Sequence, residues 1–397
     1  MESRVETLIV LLLASAVVAI VCRRARLPYT VGLVAAGIGL AWLPFAPHIT
    51  LTRELLFTAL LPPLLFEGAY HLSWKQLRRD LVLVSTLATL GVLLSATVTA
   101  CGLHWLLGWP WISAAVFGSL IAATDPVSVI ATFKEARAEG RLRNLIEAES
   151  LFNDGTAAVL CSVVLAVAMG QAPSPATTAW LLFESTAGGV LCGLLVGGVA
   201  LAVAGRARDH LVKIVLTAVA AYGAFFVADR LGLSGVLATI AAGILLGNAE
   251  PAALESQRTR QIIEDLWEFG AFVANSIVFL LIGIELAARA FRPYAGWAVA
   301  AIAVVLAARA ATVLPCSMLF LRTQQKVPWR HQVALVWGGL RGALALALAL
   351  SLPEGMAYRE AILTLTFAVV AFSVFVEGLT MTPLLRWIGE IPRKKAI

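Results

Sequence analysis

Apolar residues in this chain run on for about twenty positions at a time, separated by short polar stretches, with no alternation that would mark a strand. A hydrocarbon core about 30 Å thick takes roughly 20 apolar helical residues to cross. Thirteen runs of that kind are readable: 5–22, 28–45, 54–70, 81–107, 111–133, 145–169, 179–204, 211–229, 232–248, 268–287, 294–321, 332–351 and 361–388. The stretches between them are polar or rich in Gly and Pro, as at His71–Asp80, Gly108–Pro110, Lys134–Asn144, Gln171–Thr178, Gly205–Lys213, Asn248–Asp265 and Arg322–Arg330. The pattern predicts an all-α polytopic membrane protein, a single transmembrane unit over 1–397 with no room for a soluble domain.

Composition strengthens this reading. Hydrophobic residues make up 60% and charged residues 14%, where a soluble chain carries about 45–50% and about 25%. A soluble cytosolic enzyme, a disordered chain and a nucleic-acid binder are all excluded. Cys22, Cys101, Cys161, Cys192 and Cys316 lie in or at the ends of apolar runs without CxxC spacing, so they read as small buried residues rather than a disulfide framework.

The net charge of +6 reports topology. Basic residues crowd alternate loops: Arg23, Arg24 and Arg26; Lys75, Arg78 and Arg79; Lys134, Arg137, Arg141 and Arg143; Arg206, Arg208 and Lys213; Arg322, Lys326 and Arg330; and the tail Arg393–Lys395. The positive-inside rule makes these loops cytoplasmic, with the N-terminus outside and the C-terminus inside. Arg289 and Arg292 are the main exception. Glu2 and Glu6 precede the first run and arginines follow it, which favours a membrane anchor over a signal peptide. Trp105, Trp109 and Trp111 read as part of an interfacial aromatic belt.

Leu33–Ala41 (LVAAGIGLA) resembles Thr239–Gly247 (TIAAGILLG). Other landmarks recur at similar separations: Glu67 with Glu285, Asp125 with Leu340–Arg341, and Asp154 with Glu377. The positive-inside orientation gives the two copies, 24–205 and 211–388, opposite topology. Inverted repeats with matching interruptions point to a secondary transporter whose site lies near the midplane.

Ionisable groups inside apolar spans cost about 2.5–3.5 kcal/mol each on the insertion scale, so each needs a partner or a function. In Thr124-Asp125-Pro126, the proline removes an N–H and pushes Asp125 away from helical angles. Gly338-Gly339-Leu340-Arg341-Gly342 is the matching weak point. Two broken helices crossing there would bring half-helix ends together, with Asp125 suited to the positive ends and Arg341 to the negative ones. In the run 145–169, Ser150 and Asp154 share a helical face, as do Glu149 and Asn153. This oxygen-rich spot suits a hard cation, and nothing beside it offers the sulfur or imidazole of a transition-metal site. Arg309, a mid-span cation, is best explained as the ion-pair partner of Glu149. Glu67 either caps the site or sits near the interface; Glu147 and Glu184 read as interfacial, and Glu377 stays open.

At these residues the chain resembles the cation:proton antiporter-1 family, the NhaP-type relatives of the animal sodium/proton exchangers. The likeness is carried by ATDPVSV (Ala123–Val129), ESLFNDGTA (Glu149–Ala157), NSIVFLLIG (Asn275–Gly283) and GGLRGALALALAL (Gly338–Leu350). It implies thirteen helices, a homodimer in the bacterial inner (plasma) membrane, and exchange of Na⁺ (or Li⁺, sometimes K⁺) for H⁺ with no resident cofactor. It also implies core helices over about 81–169 and 294–388 moving against dimerisation helices over about 1–70 and 179–287. Position by position, Asp154 would bind cation and proton alternately. Ser150, the Thr124 carbonyl and Glu67 would complete the shell and Asn153 would orient it. Glu149 would pair with Arg309, and Asp125 and Arg341 would hold the crossing. The chain departs from the family pattern at Glu377, where relatives usually carry Gln, and has no counterpart of the long cytoplasmic tail of many relatives.

Removal from water penalises an ionised carboxylate, so a lone Asp154 would carry either a metal ion or a proton across. With Asn153 beside it rather than a second acid, the expected exchange is electroneutral, one for one. A K⁺/H⁺ antiporter is the main alternative. A cation channel gives no reason for two matched breaks, and an intramembrane hydrolase lacks any GxGD, HExxH or GxSxG signature.

Overall fold

The computed structural model describes residues 2–25, 27–42, 51–125, 127–136, 140–171, 174–207, 209–249 and 257–391, and every regular element among them is helical. In chain order these are α1 (Glu2–Ala25), α2 (Tyr29–Ala41), α3 (Leu61–His71), α4 (Trp74–Leu107), α5 (Trp111–Ile121), α6 (Val127–Ala136), α7 (Arg141–Ala168) and α8 (Pro175–Ala204). There follow α9 (His210–Arg230), α10 (Gly235–Gly247), α11 (Gln257–Ala288), α12 (Ala295–Met318), α13 (Trp329–Trp337), α14 (Ala343–Leu350) and α15 (Arg359–Ile388). Eight helices among the described residues are long and apolar enough to cross a membrane. The pairs α5–α6 and α13–α14 each occupy one apolar run interrupted at its centre. The described helices therefore follow the thirteen runs of the sequence. Pro126, Arg26, Arg137, Arg208 and the basic tail lie outside the described residues.

Three differences from the sequence reading have local causes. Residues 74–80 are helical rather than a loop: this polar turn of α4 is clamped by Arg141, whose guanidinium donates to Asp80 (2.6–3.1 Å) and to the carbonyls of Gln325 and Lys326. The helix α11 starts at Gln257, well before the apolar run at 268, because Arg260–Glu264 and Gln261–Asp265 pair one turn apart on its polar segment. Trp109 does not face outward. It is fully buried against Phe117, Trp297 and Tyr358, at centroid distances of 6.2, 5.6 and 5.2 Å.

Apolar helices gain nothing from water exclusion inside lipid, so close van der Waals packing must hold them together. Here α2 packs along α11 and α10 along α3 and α8. At the α2–α11 contact a Cβ on Gly37 would overlap the Leu280 carbonyl oxygen, and one on Gly283 would overlap the Val34 carbonyl oxygen. Gly39, on the same helix, meets nothing within 4 Å. Gly283→Ala is therefore expected to destabilise the protein by about 1–3 kcal/mol. Gly39→Ala should leave it equal or slightly better, by up to about 1 kcal/mol. Thermal melts of the two variants in one detergent check the contrast.

Candidate cation site

The two interruptions meet at the centre of the molecule. In the first, Ala122–Asp125 leaves helical geometry between α5 and α6; in the second, Gly338–Gly342 separates α13 from α14. The Asp125 N–H donates to the Leu340 carbonyl (2.7 Å), so the breaks are joined through backbone. The Asp125 carboxylate accepts from the Val127 N–H (2.9 Å), satisfying a donor at the first turn of α6 where a negative group is favoured. It also lies where a Cβ on residue 342 would stand, which makes the glycine there a steric requirement.

A network from α7 supports the first break. The Thr124 N–H donates to Asn153 Oδ1 (3.1 Å), and Asn153 Nδ2 donates to Thr124 Oγ1 (2.6 Å) and to Glu149 Oε1 (2.9 Å). Ser150 Oγ shares a hydrogen bond with Thr124 Oγ1 (3.0 Å). Thr124, Glu149, Ser150 and Asn153 are all buried.

The second break is supported from α12. Arg309 donates to both oxygens of Glu149, Nη1 to Oε1 at 2.8 Å and Nη2 to Oε2 at 2.7 Å. Its Nε and Nη2 also donate to the Leu335 carbonyl (3.1 and 3.0 Å), in the last turn of α13. A cation there satisfies an acceptor that the helix can no longer use. Arg341 Nη1 donates to the Gly339 carbonyl (2.9 Å). Asp125 and Arg341, expected to hold the crossing, both meet broken backbone: Asp125 joins the two breaks through its N–H and caps α6, and Arg341 binds the Gly339 carbonyl.

A cavity of about 280 Å³ runs to this junction from the end of the molecule where α3 finishes and α7 begins. Asp154 lines it, together with Thr124, Asp125 and the first turn of α14. Glu67 lines it nearer the mouth, with its carboxylate 3.4 Å from His71 Nδ1. The structure thus gathers Asp154, Thr124, Asp125 and Glu67 around one space. It sets Ser150 and Asn153 one layer behind, where they hold Thr124. Ser150 shares a helical face with Asp154, and its hydroxyl bonds Thr124 at the break.

Sequence reasoning missed Glu268 and gave no site role to Asn275, yet both line the cavity from α11 with Ala271 and Phe272 between them. The helical spacing 268, 271, 272, 275 was the available signal, hidden by starting that span at 268. Glu147 also faces this space, with Arg143 at 3.9 Å. No group of three or more His, Cys, Asp or Glu side chains among the described residues is arranged to hold a metal centre.

Glu149 and Arg309 are buried together, so removing one partner strands the other. Glu149→Gln is expected to cost about 3–5 kcal/mol, read as a lower melting temperature in detergent. The double variant Glu149→Gln with Arg309→Met should recover part of that loss.

Residues 9–387 match the family model described as sodium/hydrogen exchanger, transmembrane. The chain is 37% identical over 378 residues to the low-affinity Na⁺/H⁺ antiporter NhaS1 of Synechocystis sp., covering 93% of this chain and 72% of that protein. It is also 37% identical over 346 residues to the Na⁺/H⁺ antiporter NhaP of Pseudomonas aeruginosa, covering 84% and 81% respectively. Among solved structures, the sodium proton antiporter MjNhaP1 from Methanocaldococcus jannaschii at pH 8 matches with a TM-score of 0.74 at 22% identity, over 97% of this chain and 98% of that one. An electron-microscopy structure of MjNhaP1 matches with a TM-score of 0.79 at 20% identity, over 99% and 100%. The fold is therefore the NhaP fold, and the chain belongs to the sodium/hydrogen exchanger family.

Proposed function

We propose that the protein exchanges Na⁺ for H⁺ across a membrane by alternating access, with Asp154 holding the two in turn. The observation that carries this reading is the place of the Asp154 carboxylate, on a cavity beside two broken helices. Its neighbours Glu149 and Asp125 are already committed, to Arg309 and to the first turn of α6. The named activity of NhaS1 and NhaP supports the choice of ions.

Thr124 and Glu67 share the cavity with Asp154 and are the further oxygen ligands; Ser150 and Asn153 keep Thr124 in place behind them. The oxygens of Asp154, Thr124 and Glu67 suit a hard monovalent cation as cargo. Glu67, Glu147 and Glu268 at the mouth give the approach a negative lining that raises the local cation concentration. The mouth lies at the end carrying Lys75, Arg78, Arg79 and Arg141, the side assigned to the cytoplasm, so the conformation is inward-open. The segments 81–169 and 294–388, which carry Thr124 and Asp154, move against the remaining helices of a homodimer in a bacterial inner membrane. The halves 24–205 and 211–388 act as inverted copies.

An empty, ionised Asp154 is penalised by its removal from water, so the core crosses only with a cation or a proton aboard. One carboxylate is neutralised in either direction, and no net charge moves. In proteoliposomes preloaded with acid, external Na⁺ should drive proton release and Asp154→Asn should abolish it. Retained exchange in that variant would sink the assignment. An imposed potential of about 100 mV should leave the rate unchanged, since only a net transported charge couples to it, at about 2.3 kcal/mol per charge. Running Li⁺ and K⁺ beside Na⁺ ranks the cargo.

A further inference from the structure

The site contains one buried charge whose balance is not yet accounted for. Arg341 is 2% exposed, and its Nε has no hydrogen-bond partner among the described residues. A guanidinium stays ionised at any accessible pH, and burying it is costly unless an opposite charge faces it. Arg341 lies within electrostatic reach of Asp154. Left unopposed, its field would repel any cation arriving there.

The nearby carboxylates can be assigned one by one. Glu149 spends both oxygens on Arg309, Asp125 is held by the Val127 N–H, and Asp154 faces the cavity. Glu377 remains. It is 3% exposed and sits in a π turn, Ser373–Glu377, within α15. Such a turn inserts one extra residue into a helix and is common at functional sites. The Ser373 hydroxyl donates to Glu377 Oε2 (2.6 Å). Glu377 and Ser373 line a space of about 10 Å³ with Arg309, Gly339 and Arg341, of the order of a single water. The charges facing Glu377 are Arg309 on α12 and Arg341 at the second break; α2, which also packs against this turn, contributes none.

We propose that Glu377 is the counter-charge of Arg341, a positioning residue that cancels the guanidinium's field at Asp154 and so lets a cation settle there. This rests on Asp154 being the cation site. Two guanidiniums, Arg309 and Arg341, are then matched by two carboxylates, Glu149 and Glu377. The back of the site is neutral, and its charge changes only at the face open to the cavity.

The test compares Na⁺-driven exchange in proteoliposomes at one alkaline pH for the parent, Glu377→Gln, Glu377→Asp and the double variant Glu377→Gln with Arg341→Gln. Glu377→Gln should raise the KM for Na⁺ roughly tenfold through the exposed positive charge, with kcat much less affected. Glu377→Asp keeps the charge and should stay within about twofold of the parent. The double variant removes both charges and should bring KM back towards the parent. An unchanged KM in folded Glu377→Gln overturns the proposal, as does an equal rise in Glu377→Asp. Should Glu377→Gln fail to fold, recovery of folded protein in the double variant supports the pairing and its absence refutes it. A parent protein without Na⁺-dependent exchange would instead refute the antiport reading itself.

Discussion

The hydrogen bond from the Asp125 N–H to the Leu340 carbonyl joins two helices that stop in the middle of apolar spans, and the site is organised around it. In hydrocarbon an unpaired backbone group costs several kcal/mol, so irregular backbone survives there only where protein or a water-filled cavity surrounds it. Each break must therefore be supplied with partners from neighbouring helices. Asn153 serves the Thr124 N–H, Asp125 the Val127 N–H, Arg309 the Leu335 carbonyl and Arg341 the Gly339 carbonyl. Most of the charged and amide side chains concentrated at the crossing are thus engaged in holding open backbone.

That engagement gives the remaining carboxylate its character. Glu149 is fixed by a bidentate guanidinium and Asp125 by the N-terminus of α6, so neither is available to an incoming ion without breaking a buried contact. Asp154, one turn beyond Ser150 on the same helix, faces the cavity instead. On the proposed reading the fold separates two duties that the same residue type could perform. Buried acids with permanent partners stabilise the broken helices, and one acid without such a partner exchanges cargo. Glu377 extends the first group to the far side of Arg341.

Much of this was legible in the chain because lipid imposes simple rules. Long apolar runs had to be helices, Gly338–Gly342 had to weaken one of them, and a mid-span arginine needed an acid, which Glu149 supplies. The unread parts depend on contacts rather than on pattern. The polar starts of α4 and α11 become helical through Arg141–Asp80 and Arg260–Glu264, which no hydropathy reading reveals. Trp109 carries the composition of an interfacial residue but is buried by Phe117 of the next helix and by Trp297 and Tyr358 from distant segments. The bond between the Ser150 hydroxyl and the Thr124 side chain likewise depends on the break bringing the two together. Glu377 could not be placed from sequence because a π turn shifts the helical register by one residue where it occurs.

The same cluster of rings bears on how the site can work. The lining of the large cavity comes from α3, α7, α11, the first break with α6, and the start of α14. None of it comes from α12, α15 or the start of α5, where Trp109 packs with Trp297 and Tyr358. On the proposed reading an ion reaches Asp154 through this cavity, whose lining includes none of those helices. For it to leave on the other side, on the same reading, the segments carrying Asp154 and the crossing must shift relative to α3 and α11, which line the cavity from the remaining helices. A charged side chain that must move through an apolar barrier does so at least cost when neutralised. On the proposed reading, a cavity-facing carboxylate lacking a permanent partner is thus a physical basis for coupling the cation to the proton.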